Sequence, residues 1–301
     1  MENTNNVAAV KSKPQGNSKN TAAHIRLIIE KILVYVFLML NVFICLFFFY
    51  ILIVNSTMSK DELQGVFTGI PSTHFFDNLK SALNTADVDL PQATWNSFLV
   101  AALSAIVTTY FSALSAYAIH TYRFKGRKFI AGFILAIMMI PSQVSSLGFL
   151  KLCNQMGATN QLWVLIIPGV AAPAVYFYML QYLQATLPLD LVEASRIDGS
   201  SEFRTFNRIV LPIMKPALAV QGIFSFVGSW NNLYMPALLL TDDDKKTLPV
   251  ILANLSSKAH SQADAGQVWM TILIAIVPIV VVFLILSKQI IKGVTSGSVK
   301  G

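Results

Sequence analysis

Six stretches of the chain run for twenty residues or more without an Asp, Glu, Lys or Arg: 32–54, 97–119, 129–150, 162–183, 216–240 and 268–287. Each could cross about 30 Å of hydrocarbon as a helix. Lipid offers no partner to a free backbone N–H or C=O, so only helices and closed barrels span it. Barrel strands alternate apolar and polar residues with period two, and the run from Phe43 to Val54 has no such alternation. Composition agrees: of 301 residues, 54% are hydrophobic and only 12% charged, where soluble domains carry roughly 25% charged residues. A disordered chain is excluded, and the composition argues against an ordinary cytosolic enzyme. The fold class expected is all-α, a polytopic integral membrane protein with six transmembrane helices.

Charge orients the bundle. If both termini face the cytoplasm, stretches 1–31, 120–128, 184–216 and 288–301 hold 16 of the 22 Lys and Arg, and the external stretches hold 6. That split follows the positive-inside rule and assigns the net charge of +7 to a membrane surface rather than to nucleic acid. The first run is too long for a signal-peptide core and lacks a small-residue cleavage site, so it reads as a retained span. Residues 1–30 read as a flexible cytoplasmic tail, 31–288 as the membrane domain and 289–301 as a short cytoplasmic tail. Cys45 lies in an apolar run where it could hardly reach Cys153. In the external loop 55–94, Asp77 is positioned to cap a short helix through Leu79 and Leu83. Residues 241–266 read as a second external loop, in which the charge run Asp242 to Lys246 is solvated surface.

The segment between the fourth and fifth runs carries the most information. Pro188 stops the span, Asp190 and Glu193 have capping-box spacing at a new helix start, and Gly199 supplies the positive φ that ends it. A second short helix runs through Phe203 and Phe206 to Pro212. The pair is too polar for lipid, yet Leu189, Leu191, Val192 and Ile197 need a protein surface to bury against.

This segment resembles the EAA loop of ABC-transporter membrane subunits. Glu193, Ala194, Ser195, Gly199, Ile209, Leu211, Pro212 and Pro216 stand at the family's spacing, with Ser195 and Ser200 in place of alanines. The resemblance narrows to MalG-like carbohydrate-importer permeases through Phe76, Asn78 and Leu79, then Asn96 and Ser97. It continues through Tyr117 and Ala118, the loop from Arg123 to Lys128, and the run from Met138 to Val144. Gly157 to Asn160, Trp230 with Asn231, and the tail from Lys292 to Gly301 complete it. About residues 75–301 are covered. It implies a type I ABC-importer permease fold, with loop 186–212 acting as the coupling helix that docks on a separate ATPase. Glu193, Ala194, Ser195, Ile197, Asp198, Gly199, Phe203, Leu211 and Pro212 are the expected coupling residues, with Glu193 docking rather than catalysing. The implied partners are a second homologous permease subunit, two nucleotide-binding ATPase subunits, an external or lipid-anchored solute-binding protein, and lipid. The implied location is a bacterial cytoplasmic membrane, and the tail is expected to reach toward the ATPase dimer.

No Gly-Lys dipeptide exists to build a P-loop, so ATP and Mg would be held by partner subunits and this chain is expected to bind no cofactor. No metal or protease motif appears, and His24, His74, His120 and His260 are scattered. The apolar runs contain no acid or His as a proton relay, which disfavours a proton-coupled carrier. A substrate path is expected along Gln221, Ser225, Gly228 and Asn232, which share a face of a continuous helix, with Gln143 at similar depth. Amides and hydroxyls suit a polyhydroxylated ligand, and they equally suit contacts between helices. Ser104, Thr108, Ser112 and Ser115 read as a packing face, and Trp230 and Tyr234 as packing or belt aromatics. The function expected is a sugar or oligosaccharide permease. A permease for another polar solute such as a peptide, or an autonomous carrier, is the alternative.

Overall fold

The computed structural model describes residues 17–66, 68–84, 89–259 and 265–298. Of the flexible tail expected over residues 1–30, the first 16 lie outside the described residues and 17–30 are instead helical. Of the tail expected over 289–301, residues 289–298 are helical and the last three lie outside, as does His260. Fifteen helices follow in order: α1 Asn17–Ser56, α2 Lys60–Gln64, α3 Phe75–Leu83, α4 Leu90–Thr121, α5 Arg127–Ile137, α6 Ser142–Gln155, α7 Trp163–Ile166, α8 Pro173–Thr186, α9 Leu189–Ile197, α10 Glu202–Thr205, α11 Leu211–Ile213, α12 Lys215–Trp230, α13 Tyr234–Leu239, α14 Leu248–Ala259 and α15 Ala265–Ser298. A 3-10 turn over Ile167–Val170 extends α7, and a π turn over Phe206–Val210 joins α10 to α11. Among the described residues there is no strand.

Through Ile53 the first helix is a unit of its own. It is apolar all round, with Leu33, Tyr35, Phe37 and Met39 open and Phe43 stacked on Phe47 at 6.1 Å, as a helix solvated by lipid must be. The second unit, residues 54–301, is built on α4. Asp89 caps this helix by accepting the Gln92 N–H at 2.9 Å, and Pro91 fits its first turn. Its 32 residues make a rod about 48 Å long. Ala101, Ala113 and Ala116 are fully buried on it, letting α8 and α12 approach closely. Gly169 rides on the same helix: a Cβ there would stand 2.5 Å from Thr108 Oγ1. Ser104, Thr108 and Ser112 are buried as packing residues, while Ser115 is exposed.

Three of the six expected spans are straight, Arg26–Ser56, Leu90–Thr121 and Ala265–Ser287, and the others are bent. The expected third run is α5 and α6 meeting at 95°, because Pro141 has no N–H to continue the ladder. The fourth is Trp163–Val170 and Pro173–Thr186 at 40°. The fifth stops at Trp230 instead of continuing to 240, because Pro236 in the first turn of α13 cannot bond back to Asn232. Trp230 is buried, stacks on Phe226 and donates its Nε1–H to the Ala275 carbonyl at 3.2 Å, whereas Tyr234 is exposed.

Near the start of α4 the connecting loops are tied by neutral side chains. Asn78 Nδ2 donates to the Ser56 and Met58 carbonyls, both at 2.9 Å. Asn96 Nδ2 donates to the carbonyls of Asp244 (2.8 Å) and Lys246 (3.1 Å), and Ser97 Oγ accepts the Leu248 N–H at 2.8 Å. Asn160, with φ 63°, accepts the N–H groups of Thr241 and Asp242 on one oxygen. Two expectations are corrected here. Asp77 sits inside the first turn of α3, where it faces His74 at 3.5 Å, while His74 itself is the N-cap. The loop 241–266 carries α14, whose Leu248, Val250, Ile251 and Leu255 are buried; the neighbouring charge run had masked their apolar spacing.

Candidate functional site

The segment 187–214 forms an elbow of two short helical pieces. Leu187 closes α8, and its carbonyl accepts a hydrogen bond from His120 Nε2 at 3.2 Å. The expected capping box does not form. Pro188, with φ −65° and ψ 135°, is itself the N-cap, so the helix begins before Asp190 could cap it. Asp190 instead lies in the first turn, where its charge suits the helix dipole, and Glu193 is exposed. The other end follows expectation: Gly199 adopts φ 74° and donates to the Arg196 carbonyl, while Ser200 N–H reaches the Ser195 carbonyl, both at 3.0 Å. These bonds satisfy carbonyls that the helix end would leave open.

After Gly199, Ser201 accepts the Arg204 N–H and starts the second piece, which runs past Pro212 to Ile213. The chain turns through 81° at Met214 into α12. Pro216 has no N–H for the Pro212 carbonyl, which removes the bond that would keep the two helices straight.

One face of the elbow is locked to the rest of the unit. Val192, Ser195, Thr205, Phe206, Val210 and Met214 are buried, and they share a core with α4 and α8. Ser195 Oγ and Thr205 Oγ1 lie 3.0 Å apart and pin the two pieces together. Phe206 packs between Tyr110 (5.7 Å) and Tyr117 (5.5 Å) of α4. Tyr110 donates to Asn207 Oδ1 at 3.2 Å, and Asn207 donates to the Phe203 carbonyl at 2.8 Å.

Charge completes the lock. Arg196 Nε donates to Glu202 Oε1 at 2.6 Å, Tyr117 donates to Glu202 Oε2 at 3.1 Å, and the Arg196 guanidinium lies 5.5 Å over the Tyr122 ring. The Arg196 hydrogen bond holds the Glu202 carboxyl below the usual carboxylate range, and Glu202 in turn raises Arg196. Partial burial, and then the Glu202 hydrogen bond, push the Tyr122 phenol up. Sequence reading missed this network. Its partners are 85 residues apart at Tyr117 and Glu202, and only the paired polar residues near Gly199 hinted at it.

The opposite face is open. Ile197 is 86% exposed and Phe203 66%, with Glu193, Ala194, Asp198, Gly199 and Pro212 also exposed and Leu211 half-buried. The elbow therefore gathers all nine expected coupling residues; Ser195 alone among them is turned fully inward.

The five expected path residues are not gathered. A cavity of about 690 Å³ lies where α5 and α6 break, against α7 and α8. Ser142, Ser145, Ser146 and Asn232 supply its polar groups, among Met138, Phe149 and Met235. Of the expected set only Asn232 lines it. Gln143 is exposed beside it, Gln221 and Ser225 are half-buried along α12, and Gly228 is exposed. The predicted stripe assumed one helix to 240, and the break at residues 231–233 takes Asn232 out of register. Among the described residues no three His, Cys, Asp or Glu side chains meet as a metal cage.

Residues 113–292, which hold the elbow and the helices around it, match the family described as the binding-protein-dependent transport system inner membrane component. The chain belongs to this family. It is 32% identical to the arabinooligosaccharides transport system permease protein AraQ of Bacillus subtilis, over 91% of this chain and 97% of the relative. Identity to the trehalose/maltose transport system permease protein MalG of Thermococcus litoralis is 33%, over 91% and 98%. Its fold matches a chain of a bacterial ABC transporter for the acidic polysaccharide alginate, with TM-score 0.71 at 19% identity, over 92% of this chain and 99% of that one. The protein is thus the permease of a binding-protein-dependent ABC importer, a multi-pass component of the cytoplasmic membrane. The elbow and the broken helices are features of that permease.

Proposed function

We propose that this permease carries a sugar or oligosaccharide, pairs with a second homologous permease subunit, and is driven by two separate ATPase subunits docked on the elbow. The observation that carries the reading is the two-sided elbow: one face is bolted to α4 and α8, and the other offers Ile197 and Phe203 to a partner. A push on the open face must reach α4 through Phe206 and the Arg196–Glu202–Tyr117 chain. ATP and Mg belong to the partner subunits, and this chain moves without catalysing. Both termini are cytoplasmic, with helical ends 17–30 and 289–298 extending on that side from a membrane domain of 31–288.

The cargo follows from two supports. The relatives named above are permeases for arabinooligosaccharides and for trehalose and maltose. The cavity at the α5–α6 break presents hydroxyls and an amide among apolar walls, the mixture that suits a polyhydroxylated ligand. A solute-binding protein delivers that ligand on the side opposite the elbow.

Reconstitution tests the reading. Proteoliposomes containing this chain, the second permease and the ATPase should take up labelled oligosaccharide only with ATP and binding protein. Glu193→Lys should lower ATPase co-purification and uptake about tenfold or more, a loss of roughly 1.4 kcal/mol at the dock. Uptake by this chain alone, or normal ATPase retention in Glu193→Lys, overturns it.

A further inference from the structure

The loop joining α4 to α5 carries Arg123, Lys125, Arg127 and Lys128 within six residues, and none of the four makes an ion pair among the described residues. With Phe124, Gly126 and Phe129 they line a shallow, open concavity. Gly126, with φ 92°, opens α5 without a side-chain cap; the Phe124 carbonyl takes the Arg127 N–H at 3.3 Å, and the Lys128 and Phe129 N–H groups have no partner among the described residues. Concentrated positive charge beside free N–H groups suits a phosphate.

The helix that follows says what is attached to the phosphate. Phe129, Phe133 and Ile137 stand four residues apart on one face of α5, all exposed at 76%, 57% and 38%. Phe129 and Phe133 stack nearly parallel at 6.3 Å. The row runs about 12 Å away from the cations along the helix. A free phosphate has no use for such a row, and an acidic protein surface would meet hydrocarbon there. An acyl chain lies along it naturally.

We infer that the 123–129 loop and the outer face of α5 form a site for one anionic phospholipid, its phosphate held by the four cations and its chain lying on Phe129, Phe133 and Ile137. This rests on the membrane orientation proposed above, which sets the loop at the cytoplasmic headgroups. Those headgroups attract basic juxtamembrane segments. The loop leaves α4 at Tyr122, the ring that Arg196 covers, so the bound lipid abuts the elbow.

The test uses the transporter complex with the full chain, in nanodiscs of equimolar phosphatidylglycerol and phosphatidylcholine, and counts the lipids retained by native mass spectrometry. Wild type should retain phosphatidylglycerol preferentially. Lys125→Gln with Lys128→Gln should cut that preference about tenfold, in keeping with the attraction of each cation to an anionic surface. Lys125→Arg with Lys128→Arg should keep it, which separates charge from misfolding. Phe129→Ala with Phe133→Ala should reduce retention of the intact lipid. Inorganic phosphate at millimolar concentration should not displace it. Equal retention of the two lipids in wild type, displacement by phosphate, or a glutamine pair that keeps its lipid while losing an ATPase subunit would each overturn the proposal. Lipid counting needs no transport, so a failure of the permease reading and a failure of this site give different results.

Discussion

The two ends of α4 are held by different chemistry. Near its start, Asn78, Asn96, Ser97 and Asn160 tie loops down through neutral hydrogen bonds to backbone groups, and Asn78, Asn96 and Ser97 are themselves buried. Near its finish, the elbow is held by an ion pair, a hydroxyl pair and tilted and edge-on ring contacts, with its outer face left open. Ser97 and Tyr117 are separated by about 30 Å of helix, the thickness of the hydrocarbon core. Amides bonded to carbonyls have one good geometry and no charge to respond with. A joint of ions, hydroxyls and aromatic faces can turn as a block while keeping its partners. The first arrangement fixes a frame; the second is the joint proposed above to carry a partner's push.

That contrast can be broken by mutation. Gly199→Pro should have the largest effect, because proline cannot adopt φ 74° and removes the N–H bonded to Arg196. A local cost of about 3 kcal/mol at the elbow should reduce uptake about a hundredfold, while the chain still inserts and accumulates. Asn78→Ala should do the reverse. Losing its buried hydrogen bonds to the Ser56 and Met58 carbonyls should cost about 1–3 kcal/mol, read as a lower Tm and less protein in the membrane with near-normal uptake per molecule. Equal uptake per molecule in both variants would erase the distinction between the ends.

Two smaller effects sharpen it. Gly169→Ala drives a methyl toward Thr108 and should cost about 1–3 kcal/mol of stability, recovered when Thr108→Ala is added. Glu202→Gln should cost less than about 1 kcal/mol, since the pair is half-exposed. Its signature is pH dependence. With its carboxyl depressed below an unfolded value of about 4.3, Glu202 stabilises the fold above that pH, and the contribution is lost as pH falls through the lower native value. Thermal midpoints from pH 7 to pH 3 should therefore fall more steeply for wild type than for Glu202→Gln. Parallel curves would remove the ion pair from the joint.

Much of this was legible in the sequence because it is local. Apolar runs located the helices, and Gly199 located the end of α9, since only a few residues around each decide the outcome. The motif residues Asn78, Asn96 and Asn160 were readable as a pattern, but their partners lie 20 to 150 positions away and no spacing reveals them. The same distance hid the Glu202–Tyr117 bond. Asp190 and Asn232 were misread for a different reason. Asn232 was placed by extending a regular helix that Pro236 ends; Asp190 was placed by its spacing to Glu193, whereas the helix already starts at Pro188. The charge run before Leu248 hid α14 in the same way, by drawing attention from the apolar spacing behind it.

The π turn at Phe206–Val210 has one further consequence. It fits five residues where an ordinary helix would leave room for fewer, so this stretch holds a spare residue that deletion could remove without unravelling its neighbours. Such a deletion would let the stretch close as an ordinary α turn of about 3.6 residues, so Phe203 and Ile197 would keep close to their present bearing while the wide turn is lost. The wide turn thus stores one residue of slack between the two pieces of the elbow, the place where its outer tip can yield without tearing its buried side from α4.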